Sequence, residues 1–150
     1  MEDREIKIKQ DLLSRFPYLS DKVRVQRFRR IYAEVDYANF AEVFEYAVQK
    51  LNFAFLCTIT GLDEGEKISF LYHLATLNGI VLSLKTSVPK DKPILKTIIG
   101  YFRGAEIYER EIMDLLGAKV EGLPEGKRYP LPDDWPLDQY PLRKDWRPNA

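Results

Sequence analysis

Cysteine and histidine are almost missing from this sequence: Cys57 and His73 are single occurrences in 150 residues. A lone cysteine excludes a disulfide within the chain. One of each leaves too few ligands for a four-thiolate iron–sulfur site or an ordinary zinc site. Long apolar runs are also missing. The longest, such as Phe53-Ala54-Phe55-Leu56-Cys57, fall far short of the ~20 residues that cross a bilayer. The opening MEDREIKIKQ is charged rather than signal-like. The expectation is a soluble chain that is not secreted. An excess of charge of one sign is absent too: Lys and Arg number 23, as do Asp and Glu, so no overall field draws the chain to nucleic acid or anionic lipid.

What is present is the composition of one globular domain, 45% apolar and 31% charged. A chain of this length can bury roughly 70% of its unfolded surface. High Lys and Glu with little Gln, Asn and Cys has a thermophilic character. Ile8, Leu12, Leu13 and Phe16 share a helical face that Pro17 ends. Over residues 23–35, Val23, Val25, Ile31, Ala33 and Val35 alternate with polar neighbours as in a half-buried strand. The basic cluster Arg24, Arg27, Arg29 and Arg30 lies there. Without a stacking set of aromatics it reads as a solvated or partner-facing strand edge rather than a nucleic-acid patch.

Asn39 and Glu42 have the form of a capping box before a core-facing helix over 40–50, with Phe40, Val43, Phe44, Ala47, Val48 and Leu51 at helical spacing. Residues 53–60 read as a buried strand with Cys57 as a small buried hydrophobe. The turn at 63–66 leads into a strand over 67–75, and Asn78-Gly79 is a hairpin signal feeding a strand over 80–88. Short turns between three strands imply an antiparallel meander. The expected class is therefore α+β, a mostly antiparallel sheet of about four strands covered by helices. His73, without a nucleophile or acid motif nearby, reads as structural.

Asp91-Lys92-Pro93 has the form of a helix start. Gly100 and Gly104 predict a break, with a separate helix over 105–116 closed by Gly117 as its left-handed residue. Glu106, Arg110 and Asp114 follow at i, i+4, i+8 on that helix. Glu109 and Glu111 point about 200° apart and do not converge on one site, which favours a charged docking face over a carboxylate active site. From Ala118 onward lie 33 residues with six of the nine prolines and both tryptophans. Proline forbids helix there and interrupts sheet. Arg128, Trp135, Arg143 and Trp146 are residue types that dominate interfaces. The expected division is an α+β domain at 1–117 and an extended, proline-rich C-terminal arm at 118–150 that docks on partners; wrapping its own domain is the alternative.

Residues 105–117 (AEIYEREIMDLLG), then Glu121-Gly122-Leu123-Pro124, Arg128, Leu131-Pro132-Asp133-Asp134-Trp135 and Pro141-Leu142-Arg143-Lys144-Asp145, resemble the signature of the complex I 30 kDa subunit family, a component of NADH:quinone oxidoreductase. Cys57 to Asp63 and Tyr72-His73-Leu74 resemble its central strands. The family's Gly-His-Pro is Gly122-Leu123-Pro124 here, and the chain is short. Both differences are similar to the membrane-bound [NiFe] hydrogenase and ferredoxin-linked branches, with an NADH- or ferredoxin-quinone oxidoreductase as the alternative. The resemblance implies a scaffold without turnover of its own and without a cofactor in this chain. Iron–sulfur clusters, and nickel–iron in the hydrogenase branch, would lie in partner subunits. Those partners would be a catalytic large subunit, an iron–sulfur small subunit and a ferredoxin-like subunit, on the cytoplasmic side of the membrane. Its docking residues would be Glu109, Arg110, Glu111, Asp114, Arg128, Trp135, Arg143, Lys144, Asp145 and Trp146.

Overall fold

A computed structural model describes residues 3–149 of the chain. In order they form α1 (Asp3–Arg15), β1 (Val23–Arg27), β2 (Arg30–Glu34), α2 (Tyr37–Gln49), β3 (Phe55–Asp63), β4 (Lys67–Ala75), β5 (Val81–Pro89), β6 (Ile94–Lys96), α3 (Ala105–Leu116) and β7 (Lys119–Glu121). Five strands make a mostly antiparallel sheet in the order β1-β2-β5-β4-β3, and β6 pairs with β7 in a parallel ribbon. The class is α+β, with one strand more in the main sheet than the pattern suggested. The chain divides into two compact units, Met1–Thr58 with Leu71–Thr86 and Ile59–Phe70 with Ser87–Ala150.

In the first unit the apolar face of α1 buries Leu12, Phe16 follows it into the core, and Pro17 opens a 3-10 turn. Phe16 meets Tyr46 edge to face at 5.4 Å. The stretch expected to be one strand is a hairpin, β1 against β2, paired antiparallel with an irregularity between Val25 and Arg27. The turn depends on Arg29 at φ 59°, a left-handed conformation uncommon outside glycine. Its N–H donates to the buried carboxylate of Glu5 at 2.7 Å. β2 then runs parallel to β5, from Arg30 opposite Val81 to Glu34 opposite Lys85. On α2, Phe40 and Phe44 close over Tyr72 of β4, with ring centroids 4.7 and 5.9 Å away.

Two local expectations need correction in this unit. The residue ahead of α2 is Asp36, and its side chain makes no cap bond. Asn39 and Glu42 lie within the helix, and Glu42 instead accepts a 2.6 Å hydrogen bond from Tyr18. β3 is an edge strand rather than a buried one, with Phe55 49% exposed and Cys57 exposed. Phe53, at the start of that run, is fully buried but precedes the strand.

In the second unit the helix expected to begin at Asp91-Lys92-Pro93 does not form. Asp91 and Lys92 turn the chain, and Ile94–Lys96 is strand β6. The β-branched run Ile94, Thr97, Ile98, Ile99 is a poor helix former, and Gly100 weakens it further. Its strand partner, β7, lies 25 residues onward (Ile94 opposite Lys119), where local pattern cannot reveal it. α3 begins at Ala105 and ends on Gly117 at φ 76°, ψ 22°, as its sequence indicates. Gly61 lets α3 approach β3. A Cβ there would come within 2.2 Å of Leu116 Cδ1 and 3.3 Å of Ile112 Cγ2.

Candidate docking surface

α3 supplies the surface on which the charged residues assemble. Its apolar side buries Ala105, Ile112 and Leu116, and this fixes the directions of the remaining side chains. Glu109 therefore points inward and is 1% exposed. Its carboxylate accepts from Thr97 Oγ1 at 2.7 and 3.0 Å and from Ile98 N at 2.8 Å. Burial pushes this carboxyl above the usual range, against those hydrogen bonds and the Arg110 charge, which pull it down. Glu111 is half-buried on another face of the helix.

The ladder read from i, i+4, i+8 spacing forms only in its first half. Arg110 holds Glu106 through Nε at 3.2 Å and Nη2 at 2.9 Å, and its Nη2 also donates to the Pro124 carbonyl at 2.7 Å. Gly126 lies so close that a Cβ would come within 2.5 Å of Arg110 Nη2. Asp114 pairs instead with a residue that spacing could not identify. Arg128 Nε donates to its Oδ1 at 3.1 Å, Leu131 N to its Oδ2 at 3.0 Å, and Arg128 Nη1 reaches the Trp135 carbonyl at 2.7 Å.

Farther along, Trp135 Nε1 donates to the Gln139 carbonyl at 2.8 Å and Trp146 Nε1 to Gln139 Oε1 at 3.3 Å. The two indoles lie 6.0 Å apart, tilted by 35°. Arg143 caps the C-terminus of α3, its Nε 2.7 Å from the Leu116 carbonyl and its guanidinium over the Tyr140 ring. A cation there complements the negative end of the helix. Tyr140 and Arg143 crowd Gly117, where a Cβ would approach both within 2.8 Å.

A second clasp ties Lys144 and Asp145 to Asp63 and Lys90, neither of which is among the expected docking residues. Asp63, 3% exposed at the end of β3, accepts from Gly65 N at 2.9 Å, Lys144 N at 2.8 Å and Lys90 Nζ at 2.8 Å. Lys90 also reaches Asp145 at 3.1 Å. Burial pushes the Asp63 carboxyl up, but the Lys90, Lys144 and Gly65 donors and the Lys90 charge outweigh it and bring its pKa to about 2. The hydrogen bond to Asp63 in turn raises Lys90. The one sequence signal for Asp63 is its place two residues before Gly65 in a tight turn; nothing local marks Lys90.

The structure thus brings Arg110, Asp114, Arg128 and Trp135 together on one side of α3, and Arg143, Lys144 and Asp145 near its C-terminus. Glu109 and Asp114 are both buried, and each carboxylate is held by hydrogen bonds within this unit. Among the described residues no group of three His, Cys, Asp or Glu is placed to hold a metal ion, and no helix is long and apolar enough to cross a membrane. Apolar side chains remain exposed on this unit, among them Ile107 at 48%, Leu137 at 81% and Leu142 at 54%.

The chain resembles known proteins over most of its length. A subunit of the F(420)H(2) dehydrogenase of Methanosarcina mazei is 34% identical over 140 residues, covering 91% of this chain and 88% of that one. The beta subunit of the membrane-bound hydrogenase of Pyrococcus furiosus is 37% identical over 87 residues, 55% of this chain and 50% of its own length. Among solved structures, a chain in the membrane-bound sulfane sulfur reductase, an archaeal respiratory membrane complex, superposes with a TM-score of 0.80 at 28% identity. That match covers 95% of this chain and 85% of the other. Residues 33–150 match the family described as respiratory-chain NADH dehydrogenase, 30 Kd subunit, and it is to this family that the chain belongs.

Proposed function

We propose that this chain is a structural subunit, without a cofactor of its own, in the peripheral arm of a membrane-bound complex I-like oxidoreductase of the hydrogenase or F(420)H(2) dehydrogenase type. It holds a catalytic large subunit and iron–sulfur subunits in register, so that distances between redox centres are kept. The subunits around it carry the iron–sulfur clusters and, in a hydrogenase, the nickel–iron centre. Its association with the cytoplasmic face of the membrane is indirect, through the complex.

The observation that carries this proposal is the joining of two features in one unit. One part-buried ion pair, Asp114 with Arg128, and carbonyl contacts such as Arg143 to Leu116 fix the C-terminal segment against α3, while Leu137, Leu142, Ile107 and Tyr129 remain substantially exposed. A fixed segment presenting apolar and aromatic side chains is suited to a partner's surface, because little entropy is lost when it binds. In this proposal Arg110, Asp114 and Arg128 shape the segment, and Glu109 anchors α3 beneath it. Trp135, Arg143, Lys144, Asp145 and Trp146, with Glu111 on the helix, contribute to the contact.

The test is purification of the tagged chain from gently solubilised native membranes, with co-purifying chains identified and nickel, iron, flavin and F420 oxidation assayed. Nickel with a large subunit supports a hydrogenase-type complex. F420 oxidation without nickel supports the dehydrogenase type, which the relative matching 91% of the chain favours. Recovery of the chain alone would overturn the proposal.

A further inference from the structure

A groove of about 450 Å3 runs beside α3, bounded by residues 103–110 on one side and 127–129 on the other. Its wall carries four cations, Arg103, Arg110, Lys127 and Arg128, against the single anion Glu106. Two of the four are already engaged: Arg110 by Glu106 and the Pro124 carbonyl, and Arg128 by Asp114 and the Trp135 carbonyl. Arg103 and Lys127 are exposed, and their side chains make no hydrogen bond or ion pair with any described residue. Between these charges Ile107 is 48% exposed and Tyr129 43% exposed.

A shallow, open patch with surplus positive charge and an apolar floor, on a chain whose charges otherwise balance, is complementary to one kind of ligand. We propose that this groove receives an acidic segment of a partner subunit, with its carboxylates on Arg103 and Lys127 and an apolar side chain against Ile107 and Tyr129. The inference rests on the subunit role proposed above and gives it a second contact beside the C-terminal segment. The apolar floor would add nothing for an inorganic anion. A polynucleotide would need a wider basic field than a chain with no net charge provides. Arg110 and Arg128 are held by backbone carbonyls, so the walls are in place before the partner arrives, which lowers the entropy lost on binding.

The intact complex, isolated through a tag on this chain, would be treated with a water-soluble carbodiimide, which joins amines to carboxylates with no spacer. Mass spectrometry is expected to find Lys127 Nζ joined to an Asp or Glu of another subunit. In parallel, Arg103→Glu with Lys127→Glu should lower recovery of that subunit about tenfold, an effect that grows as salt is lowered. The circular dichroism of the purified chain should not change, because neither side chain has a partner among its described residues. Partners recovered with Lys127 joined only to acids of its own chain, or as reactive to an acylating reagent as in the free chain, would overturn the groove and leave the subunit role standing. Shielding of Lys127 without a carboxylate cross-link would show an occupant that is not acidic, and would overturn it equally. A chain recovered alone would overturn both.

Discussion

Replacing Asp63 tests whether the C-terminal segment is clasped as the hydrogen bonds indicate. Asp63→Ala removes acceptors for Gly65 N, Lys144 N and Lys90 Nζ at 2.8–2.9 Å from a site only 3% exposed. Hydrogen bonds to a charged group contribute about 1.5–3 kcal/mol each. They are not additive here, since Lys90 retains Asp145 and the freed amides can reach water. A loss of ~2–4 kcal/mol is expected, about 6–12 °C in Tm for a chain of this size. Asp63→Asn, which keeps one acceptor oxygen, should lose roughly half as much.

The pH dependence supplies an independent sign. The carboxyl is held at about 2 in the folded protein, below the 3.8 that an aspartate ordinarily has. Its stabilisation is therefore fully present above about pH 4 and lost as pH falls through about 2. Urea unfolding of the native chain should show this loss on the acid side, and Asp63→Asn should show less of it. Hydrogen exchange locates the effect: the Lys144 amide should exchange at least about tenfold faster in Asp63→Ala. Unchanged exchange at Lys144, with a full loss of global stability, would refute the clasp.

Three further outcomes follow from the geometry. Gly117→Ala puts a Cβ at φ 76° and within 2.8 Å of Tyr140 and Arg143, so thermal melting should show a loss of ~1–3 kcal/mol, and a neutral result would contradict the left-handed end of α3. Glu109 has a folded pKa above its unfolded value, so its favourable contribution is complete below that unfolded value and lost as pH rises through the folded one. Glu109→Gln should match or exceed the native stability at pH 7 and flatten this part of the profile; a large loss at neutral pH would show that the ionised form is needed. Arg143→Ala, which frees the Leu116 carbonyl, should lower the yield of assembled complex in native gels without lowering turnover per assembled complex. A fully assembled but inactive complex would count against a structural role.

The parts legible in the sequence are those fixed by near neighbours. β4 has the bounds that its alternation gives, α3 ends where Gly117 allows a left-handed residue, and Asn78-Gly79 turns the chain between β4 and β5. Local pattern misleads where a distant partner decides the outcome. β6 is a strand because β7 pairs with it, and β3 lies at the sheet edge because β5, rather than β3, takes the place beside β4 on the interior side. The hairpin at Arg29 depends on Glu5, 24 residues earlier, a bond with no local signature. On the candidate surface, Asp114 and Arg128 are each legible as important, but their pairing is not. Helical spacing directs attention to Arg110, whereas the chain reversal beyond Gly117 brings Arg128 to Asp114.

Cys57, expected in the interior, stands exposed on the edge strand and is the only thiol in the sequence. The chain therefore carries a single-site chemical handle in its unaltered form. A maleimide dye attached there would report on β3 without engineered cysteines. Comparing its labelling rate in the free chain and in the purified complex would show, in one experiment, whether that edge of the sheet stays open to solvent once the neighbouring subunits are in place.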